Sequence, residues 1–214
     1  MPRALSLAAL VLAAAPCAPA TAQTLAQDAA CVARVQEAQV RRMLATIPTS
    51  ADEAIELRRA VARADGCARG TLRAETHGRL ALEARGLMAE ALLRRHYDPL
   101  PETLPAAATA VLPRWAGMTD AQADMAGAVP GAVRAQAFAG CLIRQNWPGV
   151  RAALETPPGS AAERAALMAM QADFEPCRRP GDEFALRPVL LRANLAEETL
   201  AALDAAQRAP TAQR

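Results

Sequence analysis

Along the chain, apolar residues fall in stretches of helical length separated by short breaks containing Pro, Gly and Ser. Nowhere do β-branched and aromatic residues alternate as strands require. The pattern predicts helices from about Leu25 to Ile47, from Ala51 to about Ala64, and from about Arg73 to His96. A Pro-rich stretch from Tyr97 to Met118 follows, and Thr119 with Gln122 has the spacing of a capping box that opens a helix running onward. Next comes a first helix interrupted at Pro148, where a new helix can begin. A second runs from Ala161 to about Glu175, and a last starts near Pro188 and fades by Ala206. The positions between apolar residues are filled by Ala, Arg, Glu and Gln, strong helix formers, so the fold class expected is all-α.

The second series of helices reads as a copy of the first. Sliding the chain by 110 residues superposes residues 31–67 on residues 141–177 without a gap, with 13 identities in 37 positions. Four cysteines are among them: Cys31 to Cys67 is a step of 36, and so is Cys141 to Cys177. After a slip of three residues, "RGLMAEALL" (Arg85 to Leu93) parallels "RANLAEETL" (Arg192 to Leu200). The expected architecture is therefore a tandem duplication, residues 23–96 and 119–206. Each copy is a helical hairpin plus a third helix. Two copies are too few for an open solenoid, so they should pack as one pseudo-symmetric domain. Residues 97–118 are either a linker or a strap laid across both copies; Leu112 and Trp115 favour the strap. The tail, residues 207–214, is expected to be disordered.

The hairpin turns are "TIPTSADE" (Thr46 to Glu53) and "TPPGSAAE" (Thr156 to Glu163). Ser50 with Glu53, and Ser160 with Glu163, have capping-box spacing: the Ser accepts from the N–H three residues on, and the Glu reaches back to the Ser N–H. Pro48 and Pro158 discourage the preceding helix from continuing. Neither serine has a histidine in its segment, so capping outweighs nucleophilic chemistry. Cys31 and Cys67 each lie 18 residues from Thr49, and Cys141 and Cys177 each lie 18 from Gly159. Two antiparallel helices joined at that turn bring each pair to one level. The duplication thus selects Cys31–Cys67 and Cys141–Cys177 among the three pairings that four cysteines allow. Each closed loop contributes on the order of 3 to 4 kcal/mol in the chain-entropy model.

Disulfides imply an oxidising compartment, and the N-terminus agrees. Arg3, the apolar run Ala4 to Ala15 and the small residues at Ala20 and Ala22 predict a signal peptide over residues 1–22. An uncleaved anchor, or a lipid anchor on Cys17, is the minor alternative; Pro16 stands where lipoprotein signals carry Gly or Ala. No later segment is apolar enough to span a bilayer. The chain left after cleavage carries 23 basic and 22 acidic residues, a net of +1, and all the basic residues are Arg. Arg and Ala together point to a GC-rich genome, and aromatics at 3% leave little to stack bases on, so nucleic acid is not expected as a partner.

Chemistry is sparse. His77 and His96 are the two histidines; no H-E-x-x-H, C-x-x-C, haem-attachment or Gly-rich phosphate motif occurs, so no metal or cofactor is expected. Arg34 and Arg41, with their counterparts Arg144 and Arg151, lie near one face of the first helix of each copy. They form either an Arg–Glu network, with Arg85, Arg192, Glu90 and Glu197 tying third helix to first, or a basic groove for a small anionic ligand or an acidic partner segment. The stretches "PPGSAAERAAL" (Pro157 to Leu167), with Cys177 after it, and "LRPVLLRANLAEETL" (Leu186 to Leu200) resemble uncharacterised exported Ala- and Arg-rich helical proteins of GC-rich Gram-negative bacteria. That resemblance covers chiefly the second copy and carries no catalytic or binding residues with it. The function expected is a non-enzymatic binding or structural role in the cell envelope, periplasmic or secreted. The alternatives are a small hydrolase or lyase using His77 with nearby carboxylates, and a peripheral membrane protein, although no segment has the bulky-apolar and basic faces that a surface-seeking helix needs.

Overall fold

Helix formers fill the chain, and helix is what the computed structural model contains: among the described residues there are eleven α-helices, one 3-10 turn and no strand. The structure describes residues 20–64, 66–67, 72, 79–179, 182 and 187–209. The expected signal peptide lies outside the described residues except for Ala20–Ala22, which begin the first helix, and His77 and the tail from 210 onward also lie outside.

In chain order the helices are α1 (Ala20–Val35), α2 (Glu37–Ala45), α3 (Ala51–Ala62), α4 (Arg79–His96), α5 (Ala106–Ala110) and α6 (Asp120–Met125). They continue with α7 (Pro130–Gln145), α8 (Trp147–Glu155), α9 (Ala161–Ala169), α10 (Phe174–Cys177) and α11 (Pro188–Arg208). The two longest, α4 and α11, pack on each other at the centre. On one side α1 and α2 lie against α4, and on the other α7 and α8 lie against α11. The outer helices α3 and α9 pack on α2 and α8. One main apolar cluster runs through all of these elements, from Leu25 to Leu203.

α4 and α11 run parallel. They meet near their starts at Gly86 and Ala193 and again past the end of α4, where the Tyr97 hydroxyl donates to Asp204 Oδ1 at 2.8 Å. Eleven residues separate the two meeting points on each helix, close to three full turns, so both fall on one face. The absence of a side chain at Gly86 permits the approach: a Cβ built there would sit 2.1 Å from Ala193 Cβ.

Both disulfides expected from the spacing are present, Cys31–Cys67 and Cys141–Cys177. Ser50 and Ser160 cap α3 and α9, accepting from the Glu53 and Glu163 N–H groups at 3.2 and 3.0 Å. The glutamates, however, do not return to the serine N–H. Glu53 accepts from the N–H of Thr49 and Glu163 from that of Gly159. Both of those residues have left-handed backbone, with φ of +66° and +74°, which turns their N–H groups toward the carboxylates.

Three helices differ from expectation. The helix expected over Leu25–Ile47 is broken at Gln36, and the bend is held where Gln36 Nε2 donates to Arg63 O at 2.9 Å, at the end of α3. The expected break before Pro148 is present at Asn146, whose Oδ1 accepts from Gly149 N–H while its Nδ2 donates to Asp173. The helix expected over Ala161–Glu175 ends at Ala169 and resumes, after a 3-10 turn, as α10. The Thr119–Gln122 capping box forms, but its helix stops at Met125, because Gly127 turns left-handed before Pro130 opens α7.

Residues 97–118 are a packed strap. Leu100, Ala108 and Leu112 are buried, Trp147 Nε1 donates to Pro101 O, and Pro113 lies against Gly140, where no side chain intervenes.

Candidate functional site

Two charge clusters flank the contact between α4 and α11. In the first, Arg85 is fully buried, an unusual place for a guanidinium, and every nitrogen is used. Nε and Nη2 fork onto Glu197 at 2.7 and 2.6 Å. Nη1 and Nη2 donate to the carbonyls of Met43, Leu44 and Thr46, the last turn of α2, where backbone acceptors lack helical partners. In the second, Arg192 forks onto Glu90 at 2.9 and 2.8 Å and donates to the carbonyls of Ala153, Leu154 and Thr156 at the end of α8. The Arg–Glu pairs therefore join third helix to third helix and cap the hairpin turns. The expected tie of third helix to first is made by the same arginines through the carbonyls at the ends of α2 and α8; the forks between α4 and α11 come in addition to it.

The strap adds to the first cluster what the sequence did not announce. Arg114 donates to Glu197, Glu198 and Leu44 O, and Gln136 donates to Glu197. Two guanidinium groups, Arg85 and Arg114, thus face three buried carboxylates, Glu53, Glu197 and Glu198. Burial opposes charge on Glu197, yet Arg85 and then Arg114 outweigh it and hold its pKa below the ordinary value. On Glu53 and Glu198 burial prevails over the same cations, and both pKa values are raised. In the second cluster Arg192 and Arg94 outweigh burial on Glu90, whose pKa is lowered.

Linkage fixes the signs. The stability that Glu197 contributes is present above its unfolded pKa and is lost as pH falls through its depressed folded value. The contribution of Glu198 is present below its unfolded pKa and is lost as pH rises through its raised folded value. Glu197→Gln is therefore expected to destabilise the protein at neutral pH, less so in acid. Glu198→Gln is expected to be at least as stable as the parent at neutral pH, with the difference vanishing in acid. Urea denaturation followed by circular dichroism across that pH range checks both; equal losses for the two variants at neutral pH would refute the assignment.

The arginines singled out by the copied pattern have separate surroundings. Arg41 bonds Glu37 at 2.9 Å and also Asp204. Arg144 donates to Leu112 O at 3.2 Å. Arg34 lies 3.9 Å from Cys31 Sγ, and its carbonyl accepts from Arg95. Arg151 pairs with Glu155 at 2.9 Å. His96 sits 2.9 Å from Glu37 at the half-exposed end of α4.

Arg151 lines a cleft. A cavity of about 340 Å³ lies between the end of α4, the start of the strap and α8, with Leu93, Leu100 and Leu154 as apolar wall. Arg94, Arg151, Glu155 and Asp98, with the buried Glu90, supply its charged lining. A second hollow, of about 450 Å³, opens beyond Tyr97, Asp98 and Pro99, which line both, and reaches Leu203 and Gln207. An apolar wall with a few charged groups converging on it is what a small-molecule site of this size requires. Arg151 was legible in the sequence because it aligns with Arg41 at the offset of 110. Tyr97 and Asp98–Leu100 carry no pattern, and only the path of the strap brings them there.

Among the described residues no group of His, Cys, Asp and Glu is placed to hold a metal ion, and no helix is long and apolar enough to cross a membrane. No family model matches the chain, and no curated protein or solved structure is significantly similar to it.

Proposed function

We propose that the chain is an exported, non-enzymatic binding protein of the cell envelope, with its ligand site in the cleft between α4, the strap and α8. The observation that carries this reading is the cleft itself: a hollow of about 340 Å³ with leucines on its wall and the guanidinium groups of Arg94 and Arg151 at its rim. The two disulfides and the N-terminal signal pattern support export, to periplasm or medium.

The frame around the site is a duplicated unit whose copies exchange contacts about a pseudo-twofold axis along α4 and α11. Support comes from contacts that repeat at constant offsets. The Gln36–Arg63 and Asn146–Asp173 bonds are 110 residues apart at both ends. The carbonyls bound by Arg85 and by Arg192 are likewise 110 apart, while the two arginines are separated by 107, as Glu90 is from Glu197. Each arginine forks onto a carboxylate of the other copy, the reciprocity of an isologous interface. Gly86 meets Ala193 and Tyr97 meets Asp204, also 107 apart, as residues on such an axis must.

Titration of isotope-labelled protein with a panel of small acids, amines, amino acids and short peptides tests the binding reading. Amide shifts concentrated in residues 90–101 and 150–155 are the expected result. Shifts confined to other surfaces, or none across the panel, would overturn it.

A further inference from the structure

We propose that the cleft anchors the carboxylate of a small apolar acid on Arg151, in the position that Asp204 occupies at Arg41. The inference rests on the binding reading above and names the class of ligand.

Arg41 and Arg151 occupy the same place in their hairpins, each three residues before a leucine whose carbonyl is bound by a buried arginine. Around Arg41 two carboxylates complete the site: Glu37 from its own helix at 2.9 Å and Asp204 from α11, which also accepts from the Tyr97 hydroxyl. Around Arg151 neither has an acidic counterpart. The residue at the place of Glu37 is Trp147, whose Nε1 is turned to Pro101 O. The residue at the place of Asp204 is Tyr97, whose hydroxyl points away to Asp204. Arg151 pairs instead with Glu155 of its own helix, a half-exposed i,i+4 pair of the kind that water screens. The cleft opens where the missing carboxylate would lie, since Tyr97 and Arg151 both line it.

A planar guanidinium recognises a carboxylate through parallel N–H donors, and Tyr97, Pro99 and the edges of Leu93, Leu100 and Leu154 that line the cleft take the apolar remainder of the ligand. Glu155, Asp98 and Glu90, the last already held by Arg192 and Arg94, set the opposing condition: an unaccompanied anion with no apolar part gains too little to compete. A branched acid of amino-acid size meets both requirements.

N-acetylleucine, which keeps the carboxylate and lacks the ammonium, is the probe, and leucinamide, its converse, is the control. In an amide-shift titration N-acetylleucine is expected to move residues around 151–155 and 93–100, while leucinamide does not. Arg151→Gln is expected to weaken N-acetylleucine by about tenfold or more, the loss of one charge-assisted contact. Glu155→Gln, which frees Arg151, is expected to tighten it about threefold, the reverse of one weak exposed ion pair. Since Glu155→Gln removes no apolar packing, a gain from it cannot be mistaken for misfolding. Binding of leucinamide in place of N-acetylleucine, or N-acetylleucine binding that Arg151→Gln leaves unchanged, overturns the carboxylate anchor while the cleft stands as a binding site. Failure of both probes, with no other member of the panel moving these residues, overturns the anchor and the binding reading together.

Discussion

Arg85→Met is expected to cost about 3–5 kcal/mol of stability at neutral pH, the range for removing one partner of a buried ion pair. The methionine fills much of the volume but leaves the carbonyls of Met43, Leu44 and Thr46 without their donor. It also takes from Glu53 its Arg85 partner and leaves Arg114 as the one cation paired with Glu197 and Glu198. Arg192→Met should cost less, because its partner Glu90 keeps Arg94, whose side chain reaches solvent. Without Arg85, Glu197 and Glu53 lose a cation that favours their ionised forms, so their folded pKa values move up. Groups with raised folded values destabilise most above those values, and the penalty shrinks as pH falls through them. The Arg85→Met deficit in urea denaturation should therefore be largest at neutral pH and partly recovered toward the ordinary Glu range. A deficit that is small at neutral pH, or that grows in acid, would show that Arg85 does not neutralise this cluster. Arg85→Lys should not rescue it, since an ammonium cannot fork onto Glu197 while donating to three carbonyls.

That network also marks how far the sequence could be read. Helix class, both disulfides and the serine caps were legible because each is a local rule: spacing of cysteines about a turn, Ser three residues before Glu, Pro just upstream. The special status of Arg85, Arg192, Glu90 and Glu197 was legible too, because they recur in the aligned stretches. What they bond was not. A linear pattern favours pairing between helices near in sequence, whereas the forks join residues 112 and 102 apart, a choice made by the parallel packing of α4 on α11. Gln36 gave no sign of a break, since its bend is held by a contact 27 residues away and not by a proline. Arg114 was hidden for a similar reason: it stands in a Pro-rich connector and acts through carboxylates 83 and 84 residues further on. The cleft was the least legible feature. Its shape depends on where Tyr97 points, which no local rule sets.

Gly86→Ala is expected to be the most damaging Gly→Ala change among the described residues, costing about 4 kcal/mol, above the usual ~1–3 for overpacking. On helix propensity alone the substitution would help by up to about 1 kcal/mol. The geometry decides against it, because the new Cβ would lie 2.1 Å from Ala193 Cβ and 2.6 Å from Ala193 Cα. A flexible side chain could swing aside, but a backbone atom of a central helix cannot. The two helices must part, and the Arg85–Glu197 fork beside the contact lengthens with them. Ala193→Gly alone should cost about 1 kcal/mol, the ordinary price of glycine within a helix. The double variant, Gly86→Ala with Ala193→Gly, moves the methyl from one helix to the other and should recover most of what the single change loses. Gly131→Ala is the control: it lies near the start of α7 with nothing within 4 Å of the added methyl, so it should be neutral or slightly stabilising. Urea midpoints of the four variants separate the cases. If Gly86→Ala falls within about 1 kcal/mol of the parent, or if the exchange of residues fails to recover stability, then α4 and α11 do not cross at this pair. The parallel packing that brings Tyr97 to Asp204 and opens the cleft beside Arg151 would then lose its foundation.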